Sequence, residues 1–448
     1  MLNYIWLGLL VLAVLIGGVE GRLKEVAEKS FEMADIAVLK TAFSLIGVMA
    51  LWLGVMRIAE RAGLVALLAR VLRPIMRRLF PEVPPEHPAM GSMLMNISAN
   101  MLGLGNAATP LGLRAMKDLE SLNRVPGTAT NSMCTFLAIN TSGIQLIPVT
   151  AIAIFAANKA TNPTAIVGTA ILSTACAATG AVIIAKLLAR LPMFRIDPLA
   201  TGLAPASEAK AQTASEEKAP VKEAATLQPL QWWGMLIVAA YLGFFLWLFL
   251  RSAFPSWFNL PLSEAAAKQT AFVRIVSSVS ALSIPFLLSA IPLYAGLRCV
   301  KVYEEFVDGA KEGFDVAIRI IPYLVAMLVA IGMFRAAGGI DMVSKALAPA
   351  MNLVGFPTDL LPMVLMRPLS GSGTMGMFTE LVQHFGADSL IAKMAGTIYG
   401  STETTFYVLA VYFGSVGVKR IRYAVIAGLA ADAIGVIASI VICRLMFT

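Results

Sequence analysis

Charged residues are scarce in this sequence of 448 residues. Asp, Glu, Lys and Arg make up 14% of the chain, whereas hydrophobic residues make up 58%. Soluble domains carry about a quarter charged residues, and the mean hydropathy of this chain is +0.78. The composition excludes an ordinary soluble protein and predicts an integral membrane protein.

Histidine and cysteine are also few. The two histidines, His87 and His384, cannot form a metal cluster by themselves, and the four cysteines lie far apart in the sequence. Metal sites and disulfide frameworks need regularly spaced ligands or cysteines. We therefore predict no metal and no cofactor, and we interpret both histidines as solvated loop residues.

Motifs of familiar enzyme sites are missing. Ser370–Gly373 reads S-G-S-G, which is not the G-x-S-x-G of a nucleophile elbow. Gly103–Asn106 reads G-L-G-N and lacks the Lys-Ser/Thr ending of a phosphate-binding loop. The sequence predicts that the protein is not an enzyme.

Negative charge is in deficit, because 35 Lys and Arg face 27 Asp and Glu, for a net charge of +8. Basic residues of membrane proteins concentrate in cytoplasmic loops, so the excess does not indicate nucleic-acid binding. When the basic residues are counted on each side of the membrane, their excess on one side predicts a cytoplasmic amino terminus. The same count predicts an outside carboxyl terminus in the cytoplasmic (inner) membrane. The bilayer is the predicted partner, and association into a homo-oligomer is left open.

Long apolar runs are plentiful. A spanning helix needs roughly 20 mainly apolar residues. The first run lacks the basic flank and cleavage site of a signal peptide, so we interpret it as a retained span. The predicted spans are Leu2–Val19, Ile36–Met56, Met133–Ala156, Ala165–Leu188, Trp232–Leu250, Ala271–Leu297, Val316–Phe334, Met394–Gly414 and Ala424–Met446.

One segment cannot bury a core. Residues 195–230 are rich in Ala, Pro, Glu and Lys, with almost no large apolar residues. Such a composition predicts a flexible cytoplasmic linker. It divides the chain into residues 1–194 and residues 231–448.

Two apolar stretches, Pro88–Leu113 and Leu360–Leu381, carry Gly, Ser, Asn or Thr at their middle. Backbone groups freed at such breaks must be satisfied by protein or trapped water, because lipid offers no partners. We predict two re-entrant hairpins. A pair of ordinary kinked spans is the alternative.

The chain repeats itself. Leu53–Met76 aligns with Ile331–Met351, which places Arg57 over Arg335, and we interpret both arginines as interfacial anchors. The strongly basic stretch from Arg57 to Arg78 predicts an amphipathic helix on the inner face of the membrane. A broken hairpin follows each aligned block.

After each hairpin comes a span that polar residues interrupt. Asn140–Pro148 reads NTSGIQLIP and aligns with Ser401–Leu409, which reads STETTFYVL. One predicted crossing precedes the first repeat and two precede the second, so the repeats face opposite ways across the bilayer. The predicted fold is an all-α integral membrane protein with two inverted repeats, re-entrant hairpins and broken transmembrane helices. Duplication kept for packing alone is the alternative.

The most specific segments are Met95–Met116, MNISANMLGLGNAATPLGLRAM, and Arg367–Phe378, RPLSGSGTMGMF. Through them residues 1–194 resemble the spore maturation protein A family and residues 231–448 the spore maturation protein B family. Both are groups of the nucleoside-recognition, or Gate, family. The resemblance implies an inner-membrane protein with one Gate repeat in each half and a link to spore core dehydration. Similar Gate segments in the ferrous-iron transporter B and in concentrative nucleoside transporters imply transport, without naming a substrate.

A polar constellation within the apolar segments is the candidate site. A charge near the bilayer centre costs about 2.5–3.5 kcal/mol, so Glu403 needs a partner or water; the nearest candidate is Arg367. Asp432, also within a span, is interpreted as a packing acceptor. The predicted substrate-binding residues are Asn96, Asn100, Asn106, Asn140, Thr141, Ser142, Gln145, Arg367, Ser370, Ser372, Thr374, Thr402, Glu403, Thr404 and Thr405.

Three roles are open for Glu403: a structural ion pair with Arg367, a proton or cation carrier, and a direct ligand contact. Interhelical hydrogen bonding is the competing role for the asparagines.

The sequence favours a transporter for a small polar solute, either nucleoside-like, amino-acid-like or a small anion, with coupling to H⁺ or Na⁺ left open. A membrane factor in spore maturation or envelope assembly that transports nothing is the alternative. An iron-linked gate is less favoured, because a GTPase domain and Cys/His-rich ligands are missing.

Overall fold

Helices account for nearly all of the ordered secondary structure. The computed structural model describes residues 2–103, 105–194, 228–258, 269–342, 345 and 355–447. Within these residues there is no strand, and extended backbone pairs only at an isolated bridge between Thr128 and Arg420. The all-α class is confirmed, whereas most of the predicted linker, residues 195–227, lies outside the described residues.

The first half begins with an apolar helix and a more polar, amphipathic helix, and it ends with a long apolar helix. Its elements are α1 (Leu2–Val19), α2 (Leu23–Asp35), a π-helical segment (Ile36–Ala42), α3 (Phe43–Arg61), α4 (Leu64–Leu79), α5 (Pro88–Met101), α6 (Gly105–Glu120), α7 (Asn131–Thr141), α8 (Val149–Ala157) and α9 (Ile166–Arg190).

The second half has the same succession of long helices, a hairpin and a broken span. Its elements are α10 (Trp232–Ala253), α11 (Ala271–Leu297), α12 (Val302–Ala336), α13 (Leu361–Met366), α14 (Gly371–Phe385), α15 (Leu390–Ser401), α16 (Thr405–Ser415) and α17 (Ala424–Phe447).

Helices α9, α10, α11 and α17 are long and apolar enough to cross a membrane, and α1 and α12 contain the shorter apolar stretches Trp6–Val19 and Ile321–Ala336. These segments agree with the predicted spans at the same places. The chain is therefore described below as a multi-pass membrane protein.

The predicted span Ile36–Met56 lies within a longer helix. The helix starts at Leu23 and continues through the π-helical segment to Arg61 without a break. Its first part is polar but amphipathic, since Val26 and Met33 are buried while charged side chains are exposed. A hydropathy count misses such a segment because it averages over both faces of the helix.

The predicted single helix from Arg57 to Arg78 is also wrong. Gly63 adopts a left-handed conformation with φ of +77° and separates α3 from α4. Arg57 therefore belongs to the long helix α3, and only α4 is a separate amphipathic segment. Glycine suits the position because side chains disfavour this conformation.

The loops collect into groups that agree with the predicted topology. Among predicted cytoplasmic residues, Arg298 Nη1 donates to Ala62 O at 2.7 Å. Among predicted external residues, Thr161 N and Oγ1 donate to Asp388, which lowers the pKa of that exposed carboxyl. Which group faces the cytoplasm stays a prediction.

Four segments form the centre of the helix bundle: α9, α17 and the first helices of the two broken spans, α7 and α15. Thr169 lies beside Cys443, and Gly180 lies beside Ile434, so α9 and α17 run antiparallel. Small residues at these crossings allow close packing of the helices.

Candidate functional site

The two predicted helix breaks are confirmed, and they meet. Helix α7 ends at Thr141 and α8 begins at Val149, while α15 ends at Ser401 and α16 begins at Thr405. A Cβ placed on Gly143, which has φ of +57°, would lie 2.9 Å from the carbonyl carbon and oxygen of Thr402. Only glycine allows this main-chain contact.

The broken spans cross in opposite directions. Thr141 and Thr405 both pack against Gly428, whereas further along the first span Pro148 packs against Gly400. Rising residue numbers in the first broken span therefore meet falling numbers in the second. The two interruptions lie at the crossing point.

The hairpins are interrupted between α5 and α6 in the first half and between α13 and α14 in the second. At each of these hairpin breaks, one main-chain hydrogen bond joins the hairpin to the neighbouring broken span. Leu146 N donates to Met101 O at 3.0 Å, and Phe406 N donates to Pro368 O at 3.0 Å. These two freed amide groups are thus satisfied inside the protein, as the bilayer requires.

Arg367 stabilises the second break, which here means the interruption between α15 and α16. Its side chain is 4% exposed, its Nη2 donates to Tyr399 O at 3.0 Å and to Thr402 O, and its Nε donates to Thr402 Oγ1 at 3.1 Å. The guanidinium also lies 4.5 Å from the ring centroid of Tyr399. Because the last carbonyls of a helix lack partners, Arg367 acts as a cap on the end of α15.

Glu403 connects the two halves of the chain. Its Oε2 lies 3.9 Å from Arg367 Nη2, and its Oε1 accepts a hydrogen bond of 3.4 Å from Gln145 Nε2. Thr404 N donates to Oε2 at 3.2 Å. A third of the side chain is still exposed. The carboxylate is therefore paired loosely and can take another partner.

The asparagines of the first half bond mostly to each other and to main chain. Asn100 Nδ2 donates to Asn140 Oδ1 at 2.9 Å. Asn96 Nδ2 donates to Ala108 O at 2.7 Å, while its Oδ1 has no hydrogen-bond partner in the described part of the chain. The side chain of Asn106 lies outside the described part.

Most predicted hydroxyls bond locally. Thr141, Ser142, Thr374 and Thr402 each donate to a carbonyl three or four residues earlier, and Ser370 Oγ caps α14 by accepting from Gly373 N at 3.0 Å. Ser370 Oγ also lies 3.4 Å from Ser372 Oγ. These groups can still accept hydrogen bonds through their free lone pairs.

A cavity of about 460 Å³ reaches the second hairpin break. It lies between α1, α12 and α14 and is lined by Trp6, Leu7, Tyr323, Ala326, Met327, Ser372 and Gly373. Its size is in the range of small-molecule pockets.

Both matched arginines form ion pairs, and their role as interfacial anchors stays a prediction. Arg57 Nε lies 3.0 Å from Glu305 Oε2 and Nη1 lies 2.6 Å from Glu312 Oε1, and Arg335 Nη2 lies 3.0 Å from Glu380 Oε2. No pattern in the sequence predicts these partners, because they lie on other helices.

The interpretation of His384 as a loop residue is wrong, because it lies in the last turn of α14. It lines a second, polar cavity of about 460 Å³ together with Lys29, Glu32, Met33, Ile36, Asn158, Gly332, Arg335, Glu380, Val382, Gln383, Gly386 and Ala387. His87 precedes α5, and its Nδ1 accepts from Ala89 N at 3.2 Å, so it caps that helix.

Comparisons with known proteins point to one family. A family model described as Gate: nucleoside recognition matches residues 42–190 and 317–419, which are more than half of the chain. The chain is 46% identical over 175 residues to spore maturation protein B of Bacillus subtilis, covering 39% of this chain and 98% of that protein.

Two further relatives are similar. Spore maturation protein A of Bacillus subtilis is 47% identical over 184 residues, which are 41% of this chain and 93% of that protein. Inner membrane protein YjiG of Escherichia coli is 31% identical over 81 residues, which are 18% of this chain and 53% of that protein. No solved structure matches the chain significantly.

Proposed function

The chain belongs to the Gate, or nucleoside-recognition, family, and from this premise we propose that it is a membrane transporter for a small polar solute. The site lies between two inverted repeats, where the broken spans cross. The solute is nucleoside-like, amino-acid-like or a small anion.

One observation carries this proposal: the two helix breaks meet at Gly143 and Thr402 and gather polar groups from both halves. Interrupted helices that meet within a membrane protein are a common way to build a transport site. The antiparallel courses of α9 and α17 and of the broken spans support the inverted orientation.

The chemistry at the crossing suits a polar solute. Glu403 is one-third exposed and can accept donors such as hydroxyl or amino groups. Gln145 and the asparagine pair Asn100–Asn140 offer amide groups that can donate and accept. In this proposal Glu403 contacts the solute directly, and Arg367 holds the break in place.

Transport can be tested in proteoliposomes that contain the full chain. Nucleosides, amino acids and dicarboxylates are first screened for a rise in the melting temperature of the purified protein, since a ligand that binds only the folded state stabilises it. Uptake of the stabilising solute is then measured. Uptake by none of the three classes would contradict the proposal.

The decisive variant is Glu403→Gln, which keeps the shape and removes the charge. We expect it to fold and to lose at least about tenfold of the uptake rate, because a hydrogen bond to a charged acceptor contributes about 1.5–3 kcal/mol. The matched control is Glu304→Gln, since Glu304 forms an exposed pair with Lys301 far from the crossing. Equal uptake by both variants would remove Glu403 from the site.

A second candidate function rests on the names of the relatives. Two of them are called spore maturation proteins A and B, so a membrane factor in spore maturation or envelope assembly that moves no solute is the alternative. It predicts no uptake in proteoliposomes and unchanged assembly activity for Glu403→Gln.

A further inference from the structure

Asp432 is a buried carboxylate beside the second break. It lies in the middle of the apolar helix α17 and is 6% exposed. Thr405 Oγ1 donates to its Oδ2 at 2.5 Å. Its other oxygen, Oδ1, has no hydrogen-bond partner within the described residues. A buried acceptor in this state is unusual, because such groups are nearly always paired.

The charges around Asp432 do not balance. Arg367 and Glu403 act on it electrostatically, and the main-chain N–H of Glu403 also lies close to its carboxyl group. Helices α7, α9 and α15 present Thr141, Ala177 and Ser401 to this part of α17, and these side chains carry no charge. Among the described residues the ion pair of Arg367 is with Glu403, so two neighbouring carboxylates share one guanidinium and the group is short of one positive charge.

The surroundings of Asp432 favour a cation. Helix α15 ends at Ser401, and the carboxyl end of a helix carries partial negative charge. A Cβ on Gly435, one turn after Asp432, would lie 3.1 Å from Ser401 O, so this carbonyl lies against α17. Ser401 Oγ and Ser439 Oγ lie 2.9 Å apart on the same face. Main-chain carbonyls at the carboxyl ends of broken helices are groups that coordinate small cations in transporters.

We propose that Asp432 binds one monovalent cation, H⁺ or Na⁺, which supplies the missing positive charge. The cation site stands on the charges and the geometry alone. Its further role as the coupling ion, in place of Glu403, rests on the proposed transport function.

The test measures the melting temperature of the purified full chain from pH 5 to pH 9, in NaCl and in KCl. A bound proton predicts a melting temperature that falls by about 2 °C or more as pH rises, equally in both salts. A bound sodium ion predicts a higher melting temperature in NaCl than in KCl, most clearly at pH 9. A melting temperature that responds to neither overturns the proposal.

Asp432→Asn tests the carboxylate of Asp432 independently of the neighbouring charged groups. The amide keeps the shape of the side chain and an acceptor for Thr405. We expect the response to pH or Na⁺ to disappear in this variant and to persist in Asp388→Asn, whose side chain is exposed in an external loop. A response that Asp432→Asn keeps in full overturns the proposal, and if Glu403→Gln loses that retained response, the cation belongs to Glu403.

If Asp432→Asn does not fold, Thr405→Val takes its place and is expected to shift the midpoint of the response. An unshifted midpoint in Thr405→Val counts against the site. Because no transport is measured, the outcome is independent of the proposed function. A cation response without uptake of any solute would uphold the site and contradict the transporter.

Discussion

At the first helix break, Thr141 and Ser142 return their hydroxyls to carbonyls of their own helix, and Gly143 turns the chain. At the second break, the side chain of Arg367 reaches from the neighbouring hairpin to the carbonyls of Tyr399 and Thr402. Backbone groups freed at a break are thus bonded by neutral groups in the first half and by a charged side chain in the second.

The difference bears on function because neutral and charged side chains differ in the free-energy cost of placing them inside a membrane. Amides and hydroxyls inside a membrane protein are tolerated easily, whereas a charge near the bilayer centre costs about 2.5–3.5 kcal/mol. Packing alone is served by the neutral groups. The charged break, with Glu403 and Asp432 beside it, is therefore where we expect the chemistry, and the first break is where we expect support and shape.

The largest effect is expected from Arg367→Met. This change leaves Glu403 without its cation and frees the carbonyls of Tyr399 and Thr402, and each buried acceptor that loses its partner costs about 1–3 kcal/mol. The free energy of unfolding in mixed micelles, measured by titration with a denaturing detergent, should fall by this amount.

The control for Arg367→Met is Arg73→Met, at an exposed arginine whose Nη2 lies 3.4 Å from Glu86 Oε1. An exposed pair of this kind contributes about 0–1 kcal/mol. If both variants lose the same small amount of stability, the charged side chain at the second break is no more important than a surface pair, and the comparison fails.

The contact between the two breaks is tested by Gly143→Ala. The added Cβ would need the left-handed conformation, which costs about 1–2 kcal/mol, and would collide with the main chain of Thr402. Overpacking of this kind adds about 1–3 kcal/mol. We expect the free energy of unfolding to fall by the sum and uptake to fall with it.

Gly127→Ala is the matched control, because Gly127 also has a positive φ, of +78°, but nothing lies within 4 Å of an added Cβ. It should show the conformational cost alone. A Gly143→Ala variant no worse than Gly127→Ala would mean that the two breaks are not in contact in solution.

Much of this comparison could be predicted from the sequence. Gly, Ser, Asn and Thr inside apolar runs predicted the breaks at residues 142–148 and 402–404, because these small and polar residues interrupt runs that are otherwise apolar. The pairing of Glu403 with Arg367 followed from the cost of an unpaired charge. These inferences need only the local sequence and the nature of the solvent.

The remaining contacts depend on which distant helices meet. Glu380 faces Arg335, and Asp432 faces Thr405, through packing between segments that lie far apart in the chain. Asp432 looked like a packing acceptor because one carboxylate in an apolar run has no visible partner. The contact between Asp432 and Thr405 is visible only in the folded structure, where α17 packs against the break between α15 and α16.

The smallest effect is expected from Asn140→Leu at the first break. The change leaves Asn100 Nδ2 without its acceptor, and hydrogen bonds between membrane helices contribute about 0.6 kcal/mol on average. The free energy of unfolding should therefore change by clearly less than it does in Arg367→Met.

A double-mutant cycle with Asn100→Leu measures the coupling of the two amides, and uptake by Asn140→Leu decides between their two interpretations. If stability changes little and uptake is kept, the asparagines join helices and the first break is a support. If stability changes little but uptake is lost, the amides contact the solute, and both breaks, charged and neutral, share the site. A loss of stability as large as that of Arg367→Met would contradict the distinction drawn between the two halves.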